Sequence, residues 1–445
     1  MNILYRVGKR LATLVAMLGI SALTGELVLR AAGALWPPAS VFVAHHRMAD
    51  KQLGWRLNPD YPDVDSWSFR NADVPEQADV VILGDSQTYG YGVAPEQAWP
   101  QQFSALSGQS TYNIACSGYS SVHGMAIWAD AMSLRPQVVV AAVYAGNDLY
   151  DTFQLVYGRG QLAHLRTPYA AVQTEISALE TLAPLAEQAR LVTRMGRSSW
   201  PLRDVLRDHS ALFHFIRHLQ SGSTALAGRQ ADSWERTRQR ARLYPDYLYA
   251  YDGGEGARTT LTLHKRLLPQ DTADARIEEG LQMTLRALAE MSRRSIASGA
   301  RFVILWIPTK ELVFAPRVAT EGLADFTRLI AAETHFQQQV QILAEQSGIS
   351  FVDALPELRQ SLQAGEWKPG DPLAASTQEM LDYFKLKGVK PVAYVYPILA
   401  FLAGTLPGGG SPPWIVQGTY MSTYMSGEST RDASATLPTQ SAAAA

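Results

Sequence analysis

The sequence predicts an α/β fold, a parallel sheet with helices on both faces in a three-layer α/β/α sandwich, behind an N-terminal membrane-spanning helix. Three observations carry this reading. Val80–Leu83, Val138–Tyr144, Phe302–Pro308 and Ile349–Asp353 are short, continuous apolar runs. Strands buried on both faces have this character, whereas half-exposed strands alternate. Between them lie stretches of helical spacing, such as Leu281, Leu285, Leu288 and Met291, or Phe336, Val340 and Leu343. Strands alternating with amphipathic helices imply a parallel sheet covered on both sides. At the amino end Arg6, Lys9 and Arg10 precede the uncharged run Leu11–Gly25.

Composition narrows the classes. The chain of 445 residues is 47% hydrophobic and 18% charged, which is globular rather than disordered. A net charge of −2 gives no electrostatic case for nucleic acid. The single cysteine, Cys116, excludes an internal disulfide and any cysteine-based metal cluster.

After Gly25 the apolar run resumes beyond Glu26 as Leu27, Val28 and Leu29, then meets Arg30. Counted through Trp36 it is long enough to cross a bilayer. The positive flank comes first, so the amino terminus is expected in the cytoplasm and the rest outside the inner membrane, on a single-pass anchor. The alternative is a cleaved signal peptide, with Ala32-Gly33-Ala34 as the small-residue site. Residues 1–36 are thus read as the anchor and 37–78 as an extended lead-in containing Leu53-Gly54-Trp55 and Trp67–Asn71.

The main domain is expected over 79–365. Val80–Leu83 ends in Gly84-Asp85-Ser86, and Trp99–Leu106 reads as a helix stopped near Gly108. Thr111–Ser121 reads as a short strand entering a glycine turn, and His123–Leu134 as helical. The strand Val138–Tyr144 ends in Ala145-Gly146-Asn147-Asp148. From about 150 to 270 strand signals stop, and helical pieces such as Ile176–Leu191 and Ser210–Leu219 suggest an insertion. The core pattern then returns in Leu281–Ile296 and Leu323–Leu343, closed by Gly348. Residues 366–420 form an atypical C-terminal segment whose apolar run 392–406 is broken by Pro397, and 421–445 read as a disordered tail.

The expected strand ends carry a small polar set of Ser86, Gly118 and Asn147. Ligands in open α/β sheets collect outside the carboxyl ends of strands. A serine there can attack an ester carbonyl if donors wait for the oxyanion. A glycine N–H and an asparagine amide suit that role because neither adds charge or bulk.

On these residues the sequence resembles the SGNH hydrolase (GDSL-type esterase) superfamily. The first family block is matched by Gly84-Asp85-Ser86 and the residues through Val93, the second by Asn113 through Tyr119, the third by Gly146-Asn147-Asp148. The resemblance implies a flavodoxin-like fold, Ser86 as nucleophile, and an oxyanion hole from the Ser86 N–H, the Gly118 N–H and the Asn147 side chain. Leu53-Gly54-Trp55, Trp67–Asn71, Ala98-Trp99-Pro100 and Ile307–Glu311 look like a membrane-anchored bacterial branch, similar to SGNH domains of exopolysaccharide O-acetyltransferases and esterases. It covers roughly residues 40–365, with the insertion poorly matched. The implied substrate is an acylated carbohydrate or small ester, with an export or modification complex as partner. No metal or organic cofactor is indicated.

One departure bears on catalysis. The family's last block supplies an Asp and a His after the final core strand, but no histidine follows His335 here. The nearest trace is Gly370–Ala374, which keeps Asp371 and has Leu373 or Ala374 where the His would stand. His123, just beyond the second block, is the candidate substitute base. His45 and His46 lie in the lead-in, His164, His209, His214, His218 and His264 in the insertion, and His335 on a helix. His214 and His218 have helical i, i+4 spacing but no third metal ligand in view. Cys116 reads as a small buried hydrophobe, and Lys310-Glu311 as either a substrate contact or a surface ion pair. The rival to an acyl-transfer enzyme is a catalytically silent module that keeps the fold to bind acylated glycan or an export partner.

Overall fold

A computed structural model describes residues 2–35, 46–90, 93, 95–194, 210–213, 215–216, 226–245, 248–253, 258–318 and 323–363. Asp371, the segments 366–420 and 421–445 with the run 392–406, and His45, His209, His214 and His218 lie outside the described residues.

The first helix, α1 (Asn2–Leu35), is long and apolar enough over Gly8–Leu35 to cross a membrane, and none of its apolar window is buried by the protein. Near its end the Glu26 carboxylate accepts the Ser210 hydroxyl (2.9 Å) and the N–H groups of Ala211 (3.0 Å) and Leu212 (2.9 Å). Arg30 closes on the same carboxylate at 2.7 Å. Glu26 thereby supplies the acceptor that the first turn of the helical piece beginning at Ala211 lacks internally.

The lead-in is not extended throughout. Strands β1 (Arg47–Asp50) and β2 (Gly54–Leu57) pair antiparallel, and Asp50 Oδ1 accepts the Gln52 and Leu53 N–H groups to close the turn. Leu53, Leu57 and Phe69 then fall into the main apolar cluster, which holds the segment against the domain.

Five parallel strands form the central sheet: β3 (Val80–Leu83), β4 (Thr111–Asn113), β5 (Val138–Tyr144) and, past the insertion, β8 (Arg301–Ile307) and β9 (Ser350–Asp353). Their order is β4-β3-β5-β8-β9. Every residue of β3 and β5 is buried, as continuous apolar runs require. Alternate side chains enter two separate clusters. Val81, Leu83, Val139, Ala141, Ile304 and Trp306 join Leu281, Leu288 and Met291 of the helix Ala275–Ala297 and Phe336 and Val340 of the helix Ala324–Ser347. Val80, Ile82, Val138, Val140, Val303 and Leu305 join Trp99 and Phe103 of α3 (Trp99–Ser107), which follows the short α2 (Ser86–Tyr89).

Three local expectations change. The helix expected over His123–Leu134 is two pieces, α4 (Ser121–Ala126) and α5 (Trp128–Ser133), broken where Ile127 leaves helical geometry at φ −112°, ψ 25°. After α6 (Asp148–Phe153), the expected Ile176–Leu191 becomes α7 (Ala170–Leu182) and α8 (Leu185–Arg194), because Pro184 cannot continue a helix. The insertion also contains a hairpin, β6 (Tyr249–Asp252) with β7 (Arg258–Leu261).

Candidate active site

Because β4, β3 and β5 are parallel neighbours, their carboxyl ends emerge at one edge of the sheet. The ladder continues past the strands: the Ile114 N–H donates to Ile82 O (2.9 Å) and the Cys116 N–H to Gly84 O (3.4 Å). Ser86 after β3, Gly118 after β4 and Asn147 after β5 therefore share an edge. Chain order along it runs second, first, third, so strand order reverses at β3, the kind of crevice where α/β sheets bind ligands.

Ser86 is the first residue of α2 and is half-buried. Asp85 caps that helix, with Oδ1 accepting the Gln87 N–H at 2.8 Å. Its other oxygen, Oδ2, accepts the Ser86 hydroxyl at 2.9 Å. Asp85 is fully buried, and loss of water pushes its carboxyl up to about 6. Hydrogen bonds from Gln87, Ser86 and Thr88 and the Arg266 charge oppose that rise. A Cβ on Gly84 would lie 2.4 Å from the Thr88 hydroxyl, so the approach to Ser86 admits only glycine without rearrangement.

Gly118 has φ +84°, and a Cβ there would lie 2.7 Å from the Trp55 ring. Trp55 comes from β2 and is fixed by its indole N–H, which donates to Ser117 O at 3.2 Å. Among the described residues neither the Ser86 N–H nor the Gly118 N–H has an acceptor. Asn147 precedes α6, and its side-chain amide donates to the Asp151 carboxylate one turn on, which fixes its orientation. A Cβ on Gly146 would meet the Tyr144 ring at 2.5 Å. Asp148 is fully buried and accepts the N–H groups of Tyr144 (3.2 Å) and Ser121 (3.4 Å), tying β5 to α4. Burial, then the charges of Asp85 and Asp151, hold its carboxyl well above the ordinary range. Burial, and more weakly the Asp85 charge, raises Asp151 in the same direction, against the Asn147 bond. The three carboxyl groups thus disfavour one another's ionisation.

His123 does not meet Ser86. It is 3% exposed, its Nδ1 accepts the Ser120 N–H at 2.9 Å in a capping box on α4, and its ring stacks on Tyr119 at 4.6 Å. Burial, with the Arg159 charge, holds it down at about 3, so the imidazole is neutral. His46 shares a hydrogen bond with the Tyr89 hydroxyl at 2.9 Å. Among the described residues the Ser86 hydroxyl bonds Asp85 and no histidine. Cys116 is buried and its thiol is pushed up to about 12 by burial, consistent with an inert apolar side chain. Glu311 is no surface ion-pair partner: it is fully buried and accepts the Thr262 N–H at 2.9 Å. Among the described residues no group of three or more His, Cys, Asp or Glu is placed to hold a metal ion.

Several supporting residues escaped sequence reasoning. Arg70 donates to Gly90 O and Val93 O, both at 2.8 Å, and pairs with Asp63, so the lead-in caps the end of α2. Arg47 and Arg159 approach the Trp55 ring at 5.3 and 5.8 Å. Arg266 lies over the Tyr144 ring at 5.5 Å. The Arg70 signal was present in the Trp67–Asn71 stretch, but nothing local says that its guanidinium reaches carbonyls about twenty residues away.

No protein-family model matches this chain, and a search of curated proteins finds no match.

Proposed function

We propose that this is a serine-dependent ester hydrolase or O-acyltransferase, built on an SGNH-type, flavodoxin-like three-layer α/β/α domain. The observation that carries the reading is the convergence of Ser86, Gly118 and Asn147 at the ends of three adjacent parallel strands. Ser86 Oγ attacks the acyl carbon. The N–H groups of Ser86 and Gly118, unengaged among the described residues, and the oriented Asn147 amide are the donors for the oxyanion. The strand order, numbered by core strand as 2-1-3-4-5, is the flavodoxin-like order and supports the fold assignment.

The substrate is an O-acyl group, O-acetyl in particular, on a cell-surface or extracellular polysaccharide, with the domain outside the inner membrane and α1 as its anchor. Supporting the anchor over a cleaved leader, Glu26 receives Ser210, Ala211 and Leu212, so removal of α1 would strip a cap from the domain side. The lack of a histidine bonded to Ser86 among the described residues favours one rival, a silent module that binds acylated glycan or an export partner.

Turnover of p-nitrophenyl acetate by the full chain in detergent separates the two. The enzyme reading expects a loss of about 10³-fold or more in Ser86→Ala. Equal, slow rates for wild type and Ser86→Ala would favour the silent module.

A further inference from the structure

Resting on the serine reading, we propose that Asp85 is the general base for Ser86, the role an imidazole would otherwise fill. The two oxygens of its carboxylate are divided between two tasks. Oδ1 holds the helix through the Gln87 N–H at 2.8 Å, and Oδ2 holds the Ser86 hydroxyl at 2.9 Å. That second distance is within the range a base needs to take a proton directly.

None of the described histidines bonds Ser86. His46 bonds Tyr89, His123 bonds Ser120, His164 bonds Glu290 at 3.1 Å, His264 meets Asp325 at 3.4 Å, and His335 is exposed.

The surroundings suit a base that works near neutral pH. From α2, Ser86, Gln87 and Thr88 donate hydrogen bonds to Asp85, and Arg266 places a positive charge within electrostatic reach. From α6, Asp148 and Asp151 bring two further buried carboxyl groups, which burial and the Asp85 charge keep protonated. Complete burial outweighs the donors and brings the carboxyl up to about 6. A base is most effective when it is ionised yet still basic at the working pH.

The reaction balances without another reactant. Asp85 Oδ2 takes the Ser86 proton as Oγ bonds the acyl carbon, and the carbonyl electron pair moves to its oxygen. Collapse breaks the bond to the ester oxygen, which leaves with the proton from Asp85. Water, or an acceptor hydroxyl for transfer, then gives its proton to Asp85 and attacks the acyl-enzyme. Ser86 Oγ leaves and recovers the proton.

The test is kcat/KM against pH for the full chain in detergent, with p-nitrophenyl acetate, in wild type, Ser86→Ala, Asp85→Asn, His46→Gln and His123→Gln. Asn remains a good helix cap, so Asp85→Asn retains the acceptor for Gln87. Wild type should show an acid limb with its midpoint near 6. Asp85→Asn should lose about 10²-fold or more and lose the limb, while both histidine variants keep it. The proposal is overturned if Ser86→Ala is inactive but Asp85→Asn keeps its limb and stays within tenfold of wild type, or if a histidine variant abolishes the limb. Activity in Ser86→Ala equal to wild type would instead sink the serine reading itself. Should Asp85→Asn fail to fold by circular dichroism, Asp85→Glu decides: a displaced limb supports the proposal, and an unmoved limb at wild-type rate overturns it.

Discussion

At Gly118 two constraints coincide, a φ of +84° and the Trp55 ring 2.7 Å from where a Cβ would stand. A side chain there must strain the backbone and displace the ring, so Gly118→Ala should cost about 1–3 kcal/mol. Because the Gly118 N–H is a proposed oxyanion donor, turnover by the folded fraction should fall as well. Denaturation and p-nitrophenyl acetate assays on the same preparation read both. His123 makes a different prediction. Its folded value, about 3, lies below the ordinary 6.5, so it contributes stability above pH 6.5 that is lost as pH falls toward 3. Glu333, buried and raised to about 8, acts in the opposite sense, with stability present below its ordinary 4.5 and lost as pH rises through 8. His123→Gln should therefore flatten the acid side of a melting-temperature profile and leave most turnover intact, whereas a base role would remove the turnover. At this scale the sequence showed the residue types but not their partners. Nothing around Asp85 in the sequence reveals that its two oxygens face different donors.

The elements that carry the site were the most legible. Continuous apolar runs placed β3, β5 and β8 within a residue or two of their bounds, because burial on both faces leaves no other pattern, and the edge strand β9, where only Val352 is buried, was placed as closely. The hairpin β6–β7 was missed, since half-exposed Tyr249, Ala250 and Tyr251 lack such a run. The Asp252-Gly253-Gly254 turn signal was the available clue. The contact between helices was not legible either. Gly280, inside the helix Ala275–Ala297, lies so close to α6 that a Cβ would be 2.4 Å from the Leu149 carbonyl oxygen. Since α6 begins directly after Asn147, Gly280→Ala should shift the amide donor and depress turnover of correctly folded protein, at a stability cost of about 1–3 kcal/mol. Leu281→Ala, one residue on, removes core volume at about 2–5 kcal/mol and should leave turnover per folded molecule much less affected. Comparing kcat with the melting transition in the two variants separates positioning from packing.

For the whole molecule, the sequence revealed a helix able to span a membrane and a parallel-sheet domain, but not the hydrogen bonds joining α1 to residues 210–212. Those contacts lie across more than 180 positions, beyond any local pattern. The lead-in was similarly hidden, because Leu53, Leu57 and Phe69 show no period that announces a hairpin packed on a distant sheet. If α1 is retained, the chain should stay in the membrane fraction through carbonate extraction with its first 35 residues intact by mass. Glu26→Ala should then speed amide exchange at Ala211 and Leu212. Release of a soluble chain lacking those residues would contradict the anchor.

The proposed chemistry runs through a covalent acyl-enzyme on Ser86. Its most direct test is to treat the full chain in detergent with a fluorophosphonate and map the modified peptide by mass spectrometry. Stoichiometric labelling is expected on the Ser86 peptide, blocked by prior incubation with an acyl ester and absent in Ser86→Ala. A folded chain that stays unlabelled at Ser86, or is labelled as well in Ser86→Ala, would contradict it.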